Sequence, residues 1–269
     1  MILSIITINF NNKEGLRKTV DSVLSQTWKD FEWIIIDGGS NDGSKELILE
    51  NQSSFAFWCS EPDKGIYNAM NKGVGKATGD YLLFLNSGDI FYDNSVLERV
   101  ISAGLNSDIV SGQMVRMDND QPLRHYHSDI VMQLFNGTLN HQASFIRREL
   151  LLKIPYDESL KIVSDWKFWW ESIVFHQCSF QVSDLCISKQ DMTGISLSDK
   201  NKELHLRERE KVLNSFFPPL VLDSFQNYNA LRHLSTVKNL AYLKENHPGS
   251  YRFIKKIISF ASVLFHKFN

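Results

Sequence analysis

Four continuous apolar runs, each followed by a polar turn and then a helical stretch, organise the first hundred residues. The runs cover residues 3–10, 31–36, 55–59 and 81–85. Continuous rather than alternating apolar runs are typical of strands buried on both faces of a sheet. The starts of the runs lie roughly two dozen residues apart, which is the length of a βα unit. The pattern therefore predicts an α/β fold with a mostly parallel, Rossmann-like sheet and right-handed crossovers.

Helical periodicity fills the segments between these runs. Leu16, Val20 and Val23 form one apolar stripe. Residues 65–76 are predicted to form a helix with Tyr67, Met70 and Val74 on one side. The less regular second half predicts strands over 108–112, 143–146 and 180–187, an aromatic-rich helix over 164–175, and a break at Pro218-Pro219 before a helical tail. We expect one domain over residues 1–198, built from halves 1–112 and 113–198, and a helical extension over 199–269.

The charge distribution separates the tail from the body. The formal net charge is −2, so we expect no nucleic-acid partner. Residues 200–269 nevertheless carry 12 Lys and Arg against 5 Asp and Glu, whereas the first 199 residues carry 17 against 26. An acidic body suits a bound metal, and a basic tail suits an anionic surface.

Cysteine usage and the N-terminal sequence indicate the compartment. The three cysteines are widely spaced, which argues against a disulfide framework and a structural zinc site. The first residues lack the charged segment of a signal peptide, and no apolar run is long enough to span a bilayer. We expect a cytoplasmic location, either free or in peripheral contact with the inner face of the cytoplasmic membrane.

Polar residues follow each of the four runs, where the loops of a parallel sheet converge on ligands. Asp37 precedes two glycines and suits hydrogen bonding to a base or ribose, although an Asx turn explains it equally well. Asp89 suits a hard cation bound to a diphosphate, because Asp93 and Asn94 can cap the next helix instead. Lys72 either balances phosphate charge or is simply solvated.

Seven segments in this order give the sequence a family resemblance. They read ITINFNN, DGGSNDGS, EPDKGIYNAMNKG, FLNSGD, NHQASFIRR (140–148), SDW (164–166) and GIS (194–196). Together they resemble the inverting family 2 glycosyltransferases of the GT-A fold, and in particular bacterial enzymes that build exopolysaccharide, such as those of colanic acid assembly. The resemblance covers residues 1–196 and is specific only as a combination.

The resemblance implies a nucleotide-sugar half and an acceptor half of the domain. The residues implied to bind the nucleotide-sugar are Thr7, Asn9, Asp37, Asp63, Lys72, Asn86 and Gly88. The family's D-x-D element reads Asn-Ser-Gly-Asp here, so its first acid is missing and Asp89 is the implied charged ligand of Mg²⁺ or Mn²⁺. An arginine of the family is also absent, and Lys72 substitutes for it.

The resemblance also implies a catalytic base, Asp165, at the start of the aromatic helix. The alternative is that Asp165 only caps this helix, but Ser164 can do so as well. Inversion by direct displacement needs one carboxylate to take the proton of the attacking hydroxyl, and one cation to stabilise the leaving diphosphate. His141 and Gln142 are implied to line the acceptor side.

We therefore expect an inverting glycosyltransferase that moves a sugar from a nucleoside-diphosphate donor, UDP by resemblance, to a saccharide or lipid-linked acceptor in surface polysaccharide synthesis. A non-catalytic nucleotide-sugar-binding protein is one alternative, because the first metal acid is missing. A sugar nucleotidyltransferase is another, although residues 9–15 lack its basic glycine-rich loop. The amphipathic C-terminal helix either lies on an anionic membrane, packs on the catalytic domain, or pairs with a second subunit.

Overall fold

The computed structural model describes residues 2–117, 122–123, 129–190 and 201–266, with 122, 123, 232, 233 and 260–266 described by their backbone alone. The segment 194–196 of the family resemblance lies outside the described residues. The strands are β1 (Leu3–Asn9), β2 (Phe31–Asp37), β3 (Phe57–Ser60), β4 (Tyr81–Phe84), β5 (Ile90–Phe91), β6 (Ile109–Arg116), β7 (Pro122–Leu123), β8 (Ser144–Arg147) and β9 (Phe180–Gln190).

The helices of the first half are α1 (Lys13–Leu24), α2 (Ser44–Glu50), α3 (Ile66–Lys76) and α4 (Val96–Ala103). Those of the second half are α5 (Ile130–Asn136), α6 (Arg148–Lys153), α7 (Ser164–Trp169), α8 (Lys202–Phe216), α9 (Pro219–His233), α10 (Ser235–Asn246) and α11 (Pro248–His266). A π-helical turn (Trp170–Phe175) continues α7, and a 3₁₀ turn (His141–Ala143) precedes β8.

Within the described residues, nine strands form one mixed sheet in the order β3-β2-β1-β4-β8-β6-β9-β5, with β7 beside β6. Strands β1 to β4 pair in parallel, as the sequence predicts. Strand β8 then runs antiparallel between β4 and β6. The predicted α/β architecture is confirmed, and the antiparallel strand brings the second half of the chain against the carboxyl ends of the first four strands.

The core explains why these segments form strands and helices. All seven residues of β1 are buried, and the predicted stripe of α1 (Leu16, Val20 and Val23) packs into the same cluster. Helix α3 approaches β1 so closely that a Cβ on Gly73 would lie 2.5 Å from Cγ2 of Ile6. A larger residue at position 73 would push the helix off the sheet.

The chain divides into two compact units, residues 1–212 and 213–269. Most of helix α8 thus belongs with the sheet, whereas the predicted division after residue 198 stays a prediction. The second unit contains the α9, α10 and α11 helices. Its exposed apolar side chains include Phe253, Ile257 and Ile258 of α11. None of the helices within the described ranges combines the length and apolarity needed to cross a membrane.

Candidate active site

The ends of β1 and β2 are joined by a buried hydrogen-bond cluster. Asn9 and Asp37 are register partners, and Nδ2 of Asn9 donates to Oδ1 of Asp37 at 2.7 Å. Ser60 at the end of β3 donates to Oδ2 of Asp37 at 2.6 Å, and Ser40 donates to the same carboxylate through its hydroxyl and its backbone N–H. Asp37 therefore organises three strand ends.

The Asp37 carboxylate is ionised in spite of its full burial. Burial alone would raise its pKa, but the hydrogen bonds from Ser40, Ser60 and Asn9 outweigh burial and hold the pKa below the ordinary value. Asn9 is 4% exposed, and its Oδ1 atom has no hydrogen-bond partner. A buried acceptor without a donor is unfavourable, so a ligand donor at this position would be stabilising.

Thr7 lies deeper than the other predicted nucleotide-binding residues. It is fully buried, and its hydroxyl accepts a hydrogen bond from Nε1 of Trp33 at 3.0 Å. The structure therefore does not group Thr7 with the polar cluster at the strand ends, and its predicted role in nucleotide binding stays a prediction.

An exposed aromatic ring lies beside this cluster. A Cβ on Gly38 would lie 2.7 Å from Oδ2 of Asp63 and 3.1 Å from the ring of Phe10. Phe10 is 64% exposed, although it follows a fully buried strand. The aromatic ring of Phe10 and the carboxylate of Asp63 thus both lie close to the backbone of Gly38, which has no side chain. Phe10 is not among the residues predicted for this site, and its only signal in the sequence is an aromatic residue at the end of the first apolar run.

The turn after β4 is fixed by α1. The hydroxyl of Thr19 donates to the carbonyl oxygen of Asp89 at 2.8 Å and accepts from the N–H of Gly88 at 3.0 Å. Gly88 has a φ of +104°, which favours glycine. Asn12 at the start of α1 donates to the carbonyl oxygen of Ser87 at 3.1 Å. Asp89 is 5% exposed, so the turn holds a nearly buried carboxylate.

A chain of hydrogen bonds joins this turn to the predicted base. Nδ2 of Asn86 lies 3.1 Å from Nε2 of His141, and Nδ1 of His141 lies 3.1 Å from Oδ2 of Asp165. Oη of Tyr67 lies 2.9 Å from Oδ1 of Asp165. The side chains of His141 and Asp165 are 13% and 15% exposed. The structure therefore brings together three predicted residues from distant parts of the sequence.

The Asp165 carboxylate is stabilised in its charged form. Burial acts to raise its pKa, but hydrogen bonds from His141 and Tyr67 and from the helix backbone outweigh burial and lower the pKa. Because a neutral imidazole carries one N–H, donation from Nδ1 to Asp165 leaves the Nε2 lone pair to accept from Asn86. Asp165 is thus an ionised, largely enclosed carboxylate near neutral pH.

Helix α8 supports the loop that leads into α7 and Asp165. The buried Glu208 carboxylate accepts hydrogen bonds from the backbone N–H groups of Lys161, Ile162 and Val163 at 2.7, 2.9 and 3.2 Å. The Arg209 guanidinium lies 4.0 Å above the Trp166 ring. Neither residue can be recognised from the sequence, because acidic and basic side chains on a polar helix are usually solvated.

Arg209 is also held by the end of α5. It donates to the carbonyl oxygens of Leu134, Phe135 and Gly137 at 2.9 to 3.1 Å. Burial lowers the pKa of Arg209 to about 10, although the charge of Asp165 acts in the opposite direction. The guanidinium therefore stays protonated near neutral pH and adds a positive charge to the surroundings of Asp165.

Two further predicted residues lie at the edges of the site. Lys72 on α3 forms an ion pair with Glu61, with Nζ 2.8 Å from Oε1. A phosphate contact by Lys72 would therefore compete with Glu61. Gln142 is buried in the same 3₁₀ turn as His141.

The turn after β4 offers a small set of oxygen ligands. Within residues 2–117, 129–190 and 201–266, no group of three His, Cys, Asp or Glu side chains is arranged to hold a metal ion. Oδ1 of Asn86 is buried and unpaired, and Asp89 supplies a carboxylate from the same turn. A hard cation on a diphosphate needs only one or two protein oxygens, so these two residues fit that role.

The matching family model and the related sequences concern the same part of the chain. The model of glycosyl transferase family 2 matches residues 4–162. An uncharacterized glycosyltransferase of Mycobacterium tuberculosis is 37% identical over 174 residues, which cover 62% of this chain and 66% of that protein. A PGL/p-HBAD biosynthesis glycosyltransferase of Mycobacterium bovis is 34% identical over 174 residues, which cover 62% of this chain and 68% of that protein. The chain thus spans about two thirds of the length of these relatives.

Solved structures share the fold at low sequence identity. TarS of S. aureus in complex with UDP-GlcNAc is 18% identical with a TM-score of 0.64, over 91% of this chain and 76% of TarS. The mannosyltransferase PcManGT of Pyrobaculum calidifontis, in complex with GDP-Man and Mn²⁺, is 13% identical with a TM-score of 0.62, over 97% and 80% of the two chains. The predicted GT-A fold is confirmed. Because the family model covers more than half of the residues, the chain belongs to glycosyl transferase family 2.

Proposed function

We propose that the chain transfers a sugar, with inversion, from a nucleoside-diphosphate donor to a saccharide or lipid-linked acceptor in bacterial surface polysaccharide synthesis. The observation that carries this proposal is the chain of hydrogen bonds from Asn86 through His141 to Asp165. It links an ionised carboxylate to the turn that holds Asp89. A base for the acceptor and a diphosphate site thus share one edge of the sheet.

In the proposed reaction, Asp165 is the general base. The acceptor hydroxyl oxygen forms a bond to the anomeric carbon of the sugar, and the bond from that carbon to the diphosphate oxygen breaks on the opposite face. The leaving group keeps the electron pair, and the hydroxyl proton passes to the Asp165 carboxylate. General bases of this kind contribute typically about 10²–10⁴-fold to rate.

The nucleoside is proposed to bind at the ends of β1 and β2. The unpaired Oδ1 of Asn9 accepts a hydrogen bond from the base or ribose, and the exposed Phe10 ring supplies an apolar face for stacking. TarS is solved with UDP-GlcNAc and PcManGT with GDP-Man. UDP is our choice for this chain, and Asp37 and Asp63 shape the pocket around it.

A divalent cation, Mg²⁺ or Mn²⁺, is proposed to bind through Asp89, with Asn86 as a second oxygen ligand. When bound, such an ion supplies positive charge that stabilises the departing diphosphate. PcManGT, which shares the fold, is solved with Mn²⁺. Lys72 adds positive charge if the diphosphate displaces Glu61.

The second unit is proposed to bring the enzyme to the inner face of an anionic membrane. Helix α11 exposes Phe253, Ile257 and Ile258, and its described basic side chains include Arg252, Lys255 and Lys256. Exposed apolar and basic side chains on one helix suit an interfacial position near lipid-linked acceptors. Flotation on vesicles with and without phosphatidylglycerol tests this contact.

The decisive experiment is a screen of UDP- and GDP-sugars with Mg²⁺ or Mn²⁺ that measures release of the nucleoside diphosphate. We expect Asp165→Asn to reduce release at least about 100-fold while donor affinity, measured by calorimetry, is unchanged. The exposed Asp30→Asn variant is the matched control and should keep full activity. Wild-type donor binding without any release would support the non-catalytic alternative, and normal turnover by Asp165→Asn would refute this base. The anomeric configuration of the product, read by NMR, tests inversion.

A further inference from the structure

The hydroxyl of Tyr67 has two close oxygen neighbours. Oη lies 2.7 Å from the carbonyl oxygen of Ile162 and 2.9 Å from Oδ1 of Asp165. Tyr67 is only 5% exposed, so water does not replace either contact readily. Burial and the nearby charge of Asp165 raise the pKa of Tyr67 well above its ordinary value, so the phenol stays protonated.

One phenol hydrogen cannot serve both neighbours at full strength. A carbonyl oxygen and an ionised carboxylate are both acceptors, and Tyr67 has a single hydrogen to donate. When Asp165 is ionised, that hydrogen is best placed toward Oδ1 because the carboxylate is charged. When Asp165 is protonated, the carboxyl group becomes the donor, and the phenol hydrogen is free to turn to Ile162. The hydrogen bond between Tyr67 and Asp165 thus persists in both protonation states, with its direction reversed.

The other charged and titratable groups around Asp165 do not duplicate this arrangement. His141 contacts Oδ2, the opposite oxygen of the carboxylate. Arg209 of α8 acts on Asp165 through its positive charge. Burial and the charge of Arg209 lower the pKa of His205, so its imidazole is mostly uncharged near neutral pH. Glu208 is occupied by backbone N–H groups, and the Tyr156 hydroxyl has no hydrogen-bond partner. Tyr67 is therefore the neighbour of Oδ1 that can both donate to this oxygen and accept from it.

We propose that Tyr67 serves Asp165 in both protonation states, donating to the carboxylate before the reaction and accepting from the carboxyl group afterwards. The inference rests on the proposed role of Asp165 as the base. It makes Tyr67 a positioning residue that acts through Asp165 and lowers the free energy of the protonated base.

The proton movements balance. The acceptor hydroxyl proton passes to Oδ1 of Asp165 as the hydroxyl oxygen bonds to the anomeric carbon and the diphosphate leaves with the electron pair. Rotation about the Cγ–Oδ1 bond turns the new O–H toward Oη of Tyr67. The phenol hydrogen turns to the carbonyl oxygen of Ile162, and Tyr67 itself gains and loses no proton.

The first test is the Tyr67→Phe variant, studied by single-turnover kinetics so that product release does not mask the chemical step. We expect the plateau rate at high pH to fall about tenfold, which is the effect of one lost hydrogen bond. We also expect the acidic limb to move to higher pH, because Asp165 loses a donor that holds its pKa low. Donor affinity should not change. A plateau rate that is unchanged or higher would overturn the proposal. If Tyr67 only donated to the ionised carboxylate, its removal would make Asp165 a stronger base and would not slow the chemical step.

The matched control is Tyr156→Phe, which removes a neighbouring buried hydroxyl that has no partner. We expect both the plateau rate and the acidic limb of this variant to match the wild type. A tenfold fall in Tyr156→Phe as well would assign the effect to general disturbance of the aromatic cluster and overturn the proposal.

A second variant covers the case in which Tyr67→Phe does not fold. The amine of 4-aminophenylalanine in place of Tyr67 has two hydrogens, so it can donate to Asp165 and Ile162 together, but it is a poor acceptor. We expect the plateau rate to fall as in Tyr67→Phe while the acidic limb stays near its wild-type position. Full activity of this variant would refute acceptance by Tyr67. Turnover by Asp165→Asn would instead refute the base itself, so the two failures are distinguishable.

Discussion

Replacing Glu208 with alanine tests whether α8 holds the loop before Asp165. The carboxylate accepts three backbone N–H groups, of which those of Ile162 and Val163 are buried. Each buried N–H left without a partner costs about 1–3 kcal/mol, and the partly exposed N–H of Lys161 finds water instead. With two such N–H groups, we expect Glu208→Ala to lower the free energy of unfolding by about 2–6 kcal/mol.

Tryptophan fluorescence is the appropriate assay for Glu208→Ala. All six tryptophans precede residue 171, so their emission reports the unit of residues 1–212 and not the second unit. Urea titrations of wild type and variant should show a lower midpoint with a similar slope. The chemical step should also slow at temperatures where the variant is folded, because the loop positions Asp165.

Glu210→Ala is the control, because Glu210 is an exposed acidic residue of the same helix with the same cost in helix propensity. Its free energy of unfolding should differ from that of the wild type by less than about 0.5 kcal/mol. If Glu208→Ala is no more destabilised than Glu210→Ala, the loop does not depend on α8 and the reasoning is wrong.

Two further predictions concern acid stability and donor binding. Burial opposes the charge of Asp157, but hydrogen bonds from Lys167 and Ser159 outweigh burial and lower its pKa to about 2. Since this pKa is below the unfolded value, the stabilisation is complete above about pH 4 and is lost as the pH falls toward 2. Asp157→Asn should be less stable by about 1–2 kcal/mol at pH 6, discounted for partial exposure, and a deficit that does not shrink on acidification would contradict this. Gly38→Ala should weaken UDP binding about tenfold in calorimetry, because the added Cβ would clash with Asp63. Gly75→Ala is the control and should bind UDP normally, because the space around Gly75 is open. If the two variants bind UDP with equal affinity, the nucleoside binds elsewhere.

The parallel half of the fold could be predicted because its signals are local. Strands β1, β2 and β4 are buried on both faces, so their residues form continuous apolar runs that periodicity detects. Their carboxyl ends must meet at one edge, which is why the amino-acid sequence alone was enough to group Asn9 with Asp37. Asp165 was assigned through resemblance alone. Its approach to Asn86 depends on the antiparallel strand β8 and the 3₁₀ turn that presents His141, and no local pattern encodes that pairing.

The residues that were missed act through long-range partners. Tyr67 falls on the apolar stripe of α3 and reads as a core residue, yet its hydroxyl meets groups 95 and 98 residues away in sequence. Glu208 reads as part of a solvated helix face, because burial of a single carboxylate by distant backbone N–H groups leaves no periodic signature. Phe10 was counted as the end of an apolar run, although the structure exposes its ring.

The hydrogen bonds between Glu208 and the loop at residues 161–163 have a consequence for synthesis on the ribosome. The carboxylate is made 47 residues after the first N–H that it binds. A nascent chain that has completed β9 still lacks the Glu208 carboxylate, which binds this loop. We therefore expect the site to become ordered only after residue 208 has been synthesised, and chains that end after β9 but before residue 208 to remain inactive.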